Sequence, residues 1–255
     1  MPLSSPAVPS DATPPPAART RRPVTAERMD DPDADPAELR DAFRFIRRVN
    51  RHLGGTGALL GYLAREAPGW PSGATIRLLD LGTGVADIPL AACDWARRRG
   101  LRFEAVALDA HPGCLALARE ATAGRDDVTV VEGDARDALD RFGPGSFDYV
   151  HAGMFLHHLE DDDVVRTLGV MGRIATRGVV WNDLLRSAAS RLGVRLLTLF
   201  ASPIVRDDAR LSVEKGFTRA EAIDLAAAAG LGGIRIRSMP LAGRFRLTAE
   251  GRGAA

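Results

Sequence analysis

Residues 78–89 read Leu-Leu-Asp-Leu-Gly-Thr-Gly-Val-Ala-Asp-Ile-Pro. Gly82 and Gly84 permit a tight backbone turn and a close approach to a ligand. A helix starting just beyond them offers unpaired N–H groups and a partial positive charge. The residues beside the loop narrow the ligand. A dinucleotide loop, G-x-G-x-x-G, needs a third glycine where this chain has Asp87. With Asp80 on the other side, the loop suits a ligand bearing ammonium and hydroxyl groups and suits a pyrophosphate badly.

More candidate groups follow at strand ends. Asp109, before Ala110-His111-Pro112, stands about 25 residues past the loop, where an acid accepts from both hydroxyls of a ribose; it is equally placed to cap a helix beginning at Pro112. In Glu132-Gly133-Asp134-Ala135 a carboxylate can take an adenine amino group and a backbone N–H a ring nitrogen, although Gly-Asp alone also makes a turn. Ala152 and Gly153 are small enough to leave backbone carbonyls facing a ligand. Met154 and Phe155 are soft groups suited to a cation such as a sulfonium. For moving a proton there are His157, His158, His151 and His52, each of which also reads as a packing or capping histidine; His157 is the first choice.

The elements that must hold these residues alternate strictly. Apolar strands are predicted near 75–81, 102–109, 127–132, 146–152 and 177–182, and helices near 85–98, 112–123, 161–174, 184–200 and 218–229. Near-continuous apolar strands such as Val106-Ala107-Leu108 are buried on both faces, as in a parallel sheet between helical layers. Segments 232–239 and 243–248 are spaced for a closing antiparallel hairpin. The expected fold is α/β, a Rossmann-like, doubly wound sheet of seven strands, six parallel and one antiparallel. A helical cap precedes it: Asp35 and Pro36 start a helix whose Leu39, Phe43, Ile46, Val49 and Leu53 share a face. The expected divisions are a disordered proline-rich and acidic tail (1–34), the cap (35–72) and the main domain (73–255); seven of the 16 prolines lie in residues 1–23.

Composition sets limits. The chain has 255 residues, 45% of them hydrophobic, and a net charge of +1, which gives no electrostatic case for nucleic acid. Lys215 is the single lysine among 34 basic residues, read as coding bias. Cys93 and Cys114 form no metal-binding pattern and read as small buried hydrophobes. No apolar run spans a membrane and no secretory leader is visible, so the expected location is cytoplasmic. Oligomeric state is left open.

The ordered set of an acid-flanked G-x-G, Asp109, Gly133-Asp134-Ala135 and Phe147-Asp148…Leu156-His157-His158-Leu159 resembles the class I S-adenosylmethionine-dependent methyltransferases over about residues 75–250. The likeness extends to small-molecule enzymes of the ubiquinone/menaquinone-biosynthesis and polyketide-tailoring types, which also resemble Gly216-Phe217-Thr218-Arg219-Ala220-Glu221. The resemblance implies S-adenosyl-L-methionine as cofactor. Asp80, Gly82, Gly84 and Asp87 would surround its amino-acid part, Asp109 and Ala110 its ribose, Asp134 and Ala135 its adenine, and Ala152 and Gly153 its methionine chain. It implies methyl transfer to oxygen or carbon of a small, apolar or aromatic acceptor. No metal is expected: Asn182-Asp183 resembles half of a catechol-type magnesium site, but the residues after strand 4 offer no acid before Glu160. The insert Leu184 to Phe200, leucine-rich with Arg186, Arg191 and Arg195 interleaved, reads as a lid, a membrane-touching helix without insertion, or a packed helix. Two other functions fit less well. A nicotinamide-dependent oxidoreductase lacks both the third glycine and a Tyr-x-x-x-Lys pair; a non-catalytic S-adenosylmethionine-binding partner remains open.

Overall fold

A computed structural model describes residues 22, 23 and 25–253. Seven strands form one sheet: β1 (Thr75–Leu81), β2 (Arg102–Asp109), β3 (Val128–Glu132), β4 (Phe147–Gly153), β5 (Ala175–Leu184), β6 (Arg235–Met239) and β7 (Arg244–Glu250). Their order is β3-β2-β1-β4-β5-β7-β6, with β7 antiparallel to both neighbours. This is the expected doubly wound sheet of six parallel strands and one antiparallel. The order reverses between β1 and β4, which pair directly, so the crevice at a switch point lies over their carboxyl ends.

Alternate residues of each central strand enter opposite cores. Leu78 joins Leu59 and Leu63 of α2 (Gly55–Glu66) and Ala92 and Ala96 of α3 (Asp87–Arg97). Leu79 joins the other side, with Leu168 and Met171 of α6 (Asp161–Ile174) and Leu225 of α9 (Arg219–Ala228). The remaining helices are α1 (Pro36–His52), α4 (Pro112–Ala121), the short α5 (Ala138–Phe142), α7 (Ala188–Leu197) and α8 (Pro203–Lys215). Asp35 caps α1 by accepting from the N–H groups of Ala37 and Glu38.

Two expectations need correction. The helix predicted over 184–200 is instead the end of β5, then α7, and a separate α8 follows. Main-chain bonds from Phe217 to Leu184 and from Arg186 to Phe217 tie the two ends of this insert together. The second concerns the tail. Residues 1–21 and 24 lie outside the described residues, but 25–34 are not a free linker. A 3-10 turn at Arg28–Asp30 lies against the body, and Glu27 is buried. Arg22 is buried too, pairing with Asp161, donating to the carbonyls of Leu159 and Lys215, and lying over the Phe217 ring at 4.1 Å. An amphipathic reading misses this because the stretch carries no apolar period; ion pairs and backbone bonds hold it.

Candidate active site

The ends of β1, β2, β4 and β5 open into a cavity of about 890 Å³, toward the upper end of the roughly 300–1,000 Å³ usual for ligand sites. One end is the glycine loop. Gly82 and Gly84 take φ of +63° and +59°, a region that costs other residues steric strain. A Cβ on Gly82 would lie 2.2 Å from Phe155 Cγ, and one on Gly84 would lie 2.9 Å from Phe43 Cε1. The close approach these glycines permit is thus used by two aromatic rings of the chain itself.

The acids around the loop divide into braces and open groups. Asp80 is buried, with Oδ1 2.5 Å from His151 Nδ1 and Oδ2 accepting from the Thr83 hydroxyl at 2.6 Å. It therefore holds the loop to β4 through Nδ1 of His151, whose Nε2 has no hydrogen-bond partner among the described residues. Asp109 accepts from the backbone N–H of Gly84 at 2.8 Å and of His111 at 2.9 Å. A carboxylate has about four lone-pair sites, so two remain for hydroxyls. The cap of α4 falls to the His111 ring, not to Asp109. Asp87 opens α3 and accepts from Asn50 Nδ2 at 3.1 Å. Burial raises the pKa of both Asp87 and Asp109, and the charge of Asp80 adds to it. Carboxylates crowded in this way favour an arriving ammonium. These observations fit S-adenosylmethionine: two buried acids and free hydroxyl acceptors face the cavity beside a helix N-terminus.

The end at Asp134 and Ala135, expected from the sequence to meet adenine, is less open. Arg136 grips Asp134 from two nitrogens, at 2.5 and 2.9 Å, and also pairs with Asp163; this holds the Asp134 carboxyl below its ordinary value. Asp134, Ala135, Ala110 and Gly153 line the cavity. Ala152 is wholly buried in the core.

At the other end sits a histidine pair. His157 Nδ1 is 2.7 Å from Asp183 Oδ1, and both residues are buried. Asp183 also accepts from the Trp181 indole and its own neighbour's N–H, and these groups with the His157 charge hold its carboxyl low against burial. Among the described residues His157 Nε2 has no hydrogen-bond partner, and it lies 3.7 Å from Glu27 Oε1. His158, stacked on it at 4.2 Å between ring centres, pairs with Asp30. Burial alone would lower the His158 pKa, but Asp30 and Glu27 leave it raised. His52 is exposed on the last turn of α1, away from the site. Asn182 donates to the Gly55 carbonyl, so the Asn182-Asp183 pair braces the protein. Donor atoms of Glu27, His157 and His158 lie within 4.8 Å of one another. The Lys215 ammonium, 3.1 Å from Glu27 Oε1, puts a positive charge where a divalent cation would have to sit.

Sequence reasoning missed several lining groups: Phe43, Asn50, Glu27, Asp208 and Arg244. Lys215, buried and ion-paired, had a visible signal in being the single lysine. Between the two ends the lining is apolar, with Ile46, Val49, Met154, Val194, Leu197 and Val213.

Residues 78–178 match the family model described as a methyltransferase domain. The match spans less than half of the chain, and the sheet order is that of the Rossmann-like methyltransferase fold. Solved structures share the fold. An O-methyltransferase family protein from Burkholderia thailandensis matches at 15% identity and TM-score 0.57, over 81% of this chain and 57% of that one. The CMeT domain of the citrinin polyketide synthase matches at 12% and 0.58, over 74% and 50%. Magnesium protoporphyrin IX methyltransferase from Synechocystis PCC 6803, with bound SAH, matches at 13% and 0.55, over 86% and 100%. The first two are matched over only about half of their length. No curated protein matches the chain. The family match does not favour the oxidoreductase alternative. Among the described residues no helix is long and apolar enough to cross a membrane.

Proposed function

We propose that the protein transfers a methyl group from S-adenosylmethionine to an oxygen or carbon of a small, aromatic, largely apolar acceptor, with His157 as general base. The observation that carries this reading is the buried Asp183–His157 pair at one end of an apolar cavity whose other end is the acid-flanked glycine loop. Bound S-adenosylmethionine supplies a methyl group already activated on a sulfonium. The chain's own task is to align, to exclude water and to take a proton.

The cofactor-binding roles fall to the loop acids. Asp109 accepts from the ribose hydroxyls through its two free lone-pair sites, and Asp87 faces the ammonium. Asp80 keeps the loop in place through Thr83 and His151. Asp134 and Ala135 border the adenine end. At the acceptor end, Asp183 holds the Nδ1 proton of His157, which leaves Nε2 as the base for a phenol or enol. Ion pairing of Arg22, Glu27 and Asp30 at this end supports exclusion of water. The apolar rim, with Leu196 and Leu197 exposed, favours an acceptor with a hydrophobic body.

The test is calorimetric titration with S-adenosylhomocysteine, with NADH and NADPH in parallel, followed by methyl-transfer assays over phenols and enols. One-site binding of the thioether and methylation lost in His157→Gln support the proposal. Binding of a dinucleotide alone overturns it, and cofactor binding without turnover on any acceptor favours a non-catalytic partner.

A further inference from the structure

Arg244 begins β7 in register with Leu184 and is completely buried. Its Nη2 donates to Asn50 Oδ1 at 3.0 Å, while among the described residues Nε and Nη1 have no partner. Other charges reach it only from Asp183 and Asp87, and burial lowers its pKa to about 10, which still leaves it protonated at neutral pH. Buried guanidinium N–H groups without acceptors are costly, and a buried charge without a close counter-charge more so. Arg244 lines the cavity. A fold that keeps such a group there has a use for its two idle donors.

We propose that Arg244 is a specificity-determining residue that receives an anionic oxygen group of the carboxylate class on the methyl acceptor. The acceptor is then an acidic aromatic, with an apolar ring against the cavity wall and a charged substituent on Arg244. This deepens the methyltransferase reading and rests on it. Placement argues for the acceptor. Arg244 pairs across the strands with Leu184, one residue past the Asp183 that holds the proposed base, and the Asp183 charge reaches it. The loop acid Asp80 lies on β1, three strand spacings away in the order β1-β4-β5-β7, roughly 14 Å. The planar guanidinium fork also matches a carboxylate in a way a lone ammonium does not. The cofactor's own carboxylate offers the same chemistry, and Asn50, bridging Arg244 to Asp87, brings that source within reason.

The experiment separates the two. The full chain is titrated with S-adenosylhomocysteine, and then, with it bound, with 2-hydroxybenzoate and its neutral amide, 2-hydroxybenzamide. Wild-type protein is expected to bind the carboxylate at least tenfold tighter than the amide. Arg244→Gln, or Arg244→Ala if that variant is unstable, is expected to erase this preference while changing the S-adenosylhomocysteine Kd less than threefold. Equal binding of both probes by the wild type, or failure of the carboxylate to bind, overturns the inference without recourse to any variant. An Arg244 variant that loses S-adenosylhomocysteine but keeps the probe preference also overturns it, assigning Arg244 to the cofactor. Failure of the wild type to bind S-adenosylhomocysteine instead overturns the methyltransferase reading.

Discussion

Asp109 gives the sharpest test of the cofactor end. Its carboxylate already accepts two backbone N–H groups, from Gly84 and His111. Replacing it with asparagine keeps the shape but turns one oxygen into a donor. One N–H then faces another donor inside a buried site, at about 1–3 kcal/mol. The two lone-pair sites reserved for the ribose lose their charge as well. Hydrogen bonds to a charged group contribute about 1.5–3 kcal/mol each, so two hydroxyls account for about 3–6 kcal/mol, roughly two to four decades in Kd. Asp109→Asn and Asp109→Ala are therefore expected to weaken S-adenosylhomocysteine binding by at least 100-fold in calorimetry, with the fold retained in circular dichroism. A pH dependence should accompany this. Burial raises the Asp109 pKa above its ordinary 3.8, so wild-type affinity should fall on acidification at a pH higher than an exposed aspartate would dictate. A folded Asp109→Asn protein whose Kd stays within threefold of wild type would refute the assignment of the ribose to this residue.

Three other outcomes follow from the acceptor end. His157→Gln and Asp183→Asn should each lower methyl transfer to a phenolic acceptor by about 10²–10⁴-fold with S-adenosylhomocysteine affinity unchanged; unaltered kcat in both makes the pair structural. Glu27→Gln and Lys215→Met each strip one member of a buried ion pair and should each cost about 3–5 kcal/mol in urea unfolding, whereas the double variant should cost less than their sum, and simple additivity refutes the coupling. His158 is raised above its ordinary 6.5 and Asp30 lowered to about 2, so the stability from His158 is complete below 6.5 and fades as pH rises through its raised value, while that from Asp30 is complete above 3.8 and fades toward about 2. Proteolytic nicking near residues 25–34 should then increase on the alkaline side, and His158→Gln should remove that increase; a pH-independent nicking rate shows the pair does not hold the segment.

Sequence legibility followed the range of each signal. β1 and β2 were readable to the residue because apolar runs ending in Gly82 or Asp109 carry their own stop signals. The break between α7 and α8 was not, because Leu196, Leu197, Leu199 and Phe200 continue an apolar pattern that the structure leaves exposed, the first two lining the cavity. Loop acids were legible as a set, since their spacing repeats with the strands. What each acid does was not: Asp80 and Asp109 look alike in sequence, yet one is engaged by two side chains and the other by two backbone N–H groups. Arg244 and Glu27 were invisible because their meaning depends on partners 194 and 188 positions away. Lys215 stood out by its rarity and was assigned to coding bias because nothing nearby in sequence hints at its burial.

The covering segment also bears on how the base would work. His157 Nε2 faces Glu27 across 3.7 Å, while Nδ1 is held by Asp183. Two carboxylates thus flank one imidazole, with Lys215 offsetting one of them. Taking a proton at Nε2 creates a cation between these acids, which the low-dielectric surroundings strengthen. The segment that closes the acceptor end therefore also carries part of the charge that makes proton abstraction favourable. Glu27, Met29 and Asp30 form part of the cavity wall at this end. If the segment opened, His157 would lose Glu27 and water would reach the proposed base, so closure and activation would be coupled. This coupling gives the buried ion pairs a purpose beyond stability, which apolar packing of equal volume would provide at least as well.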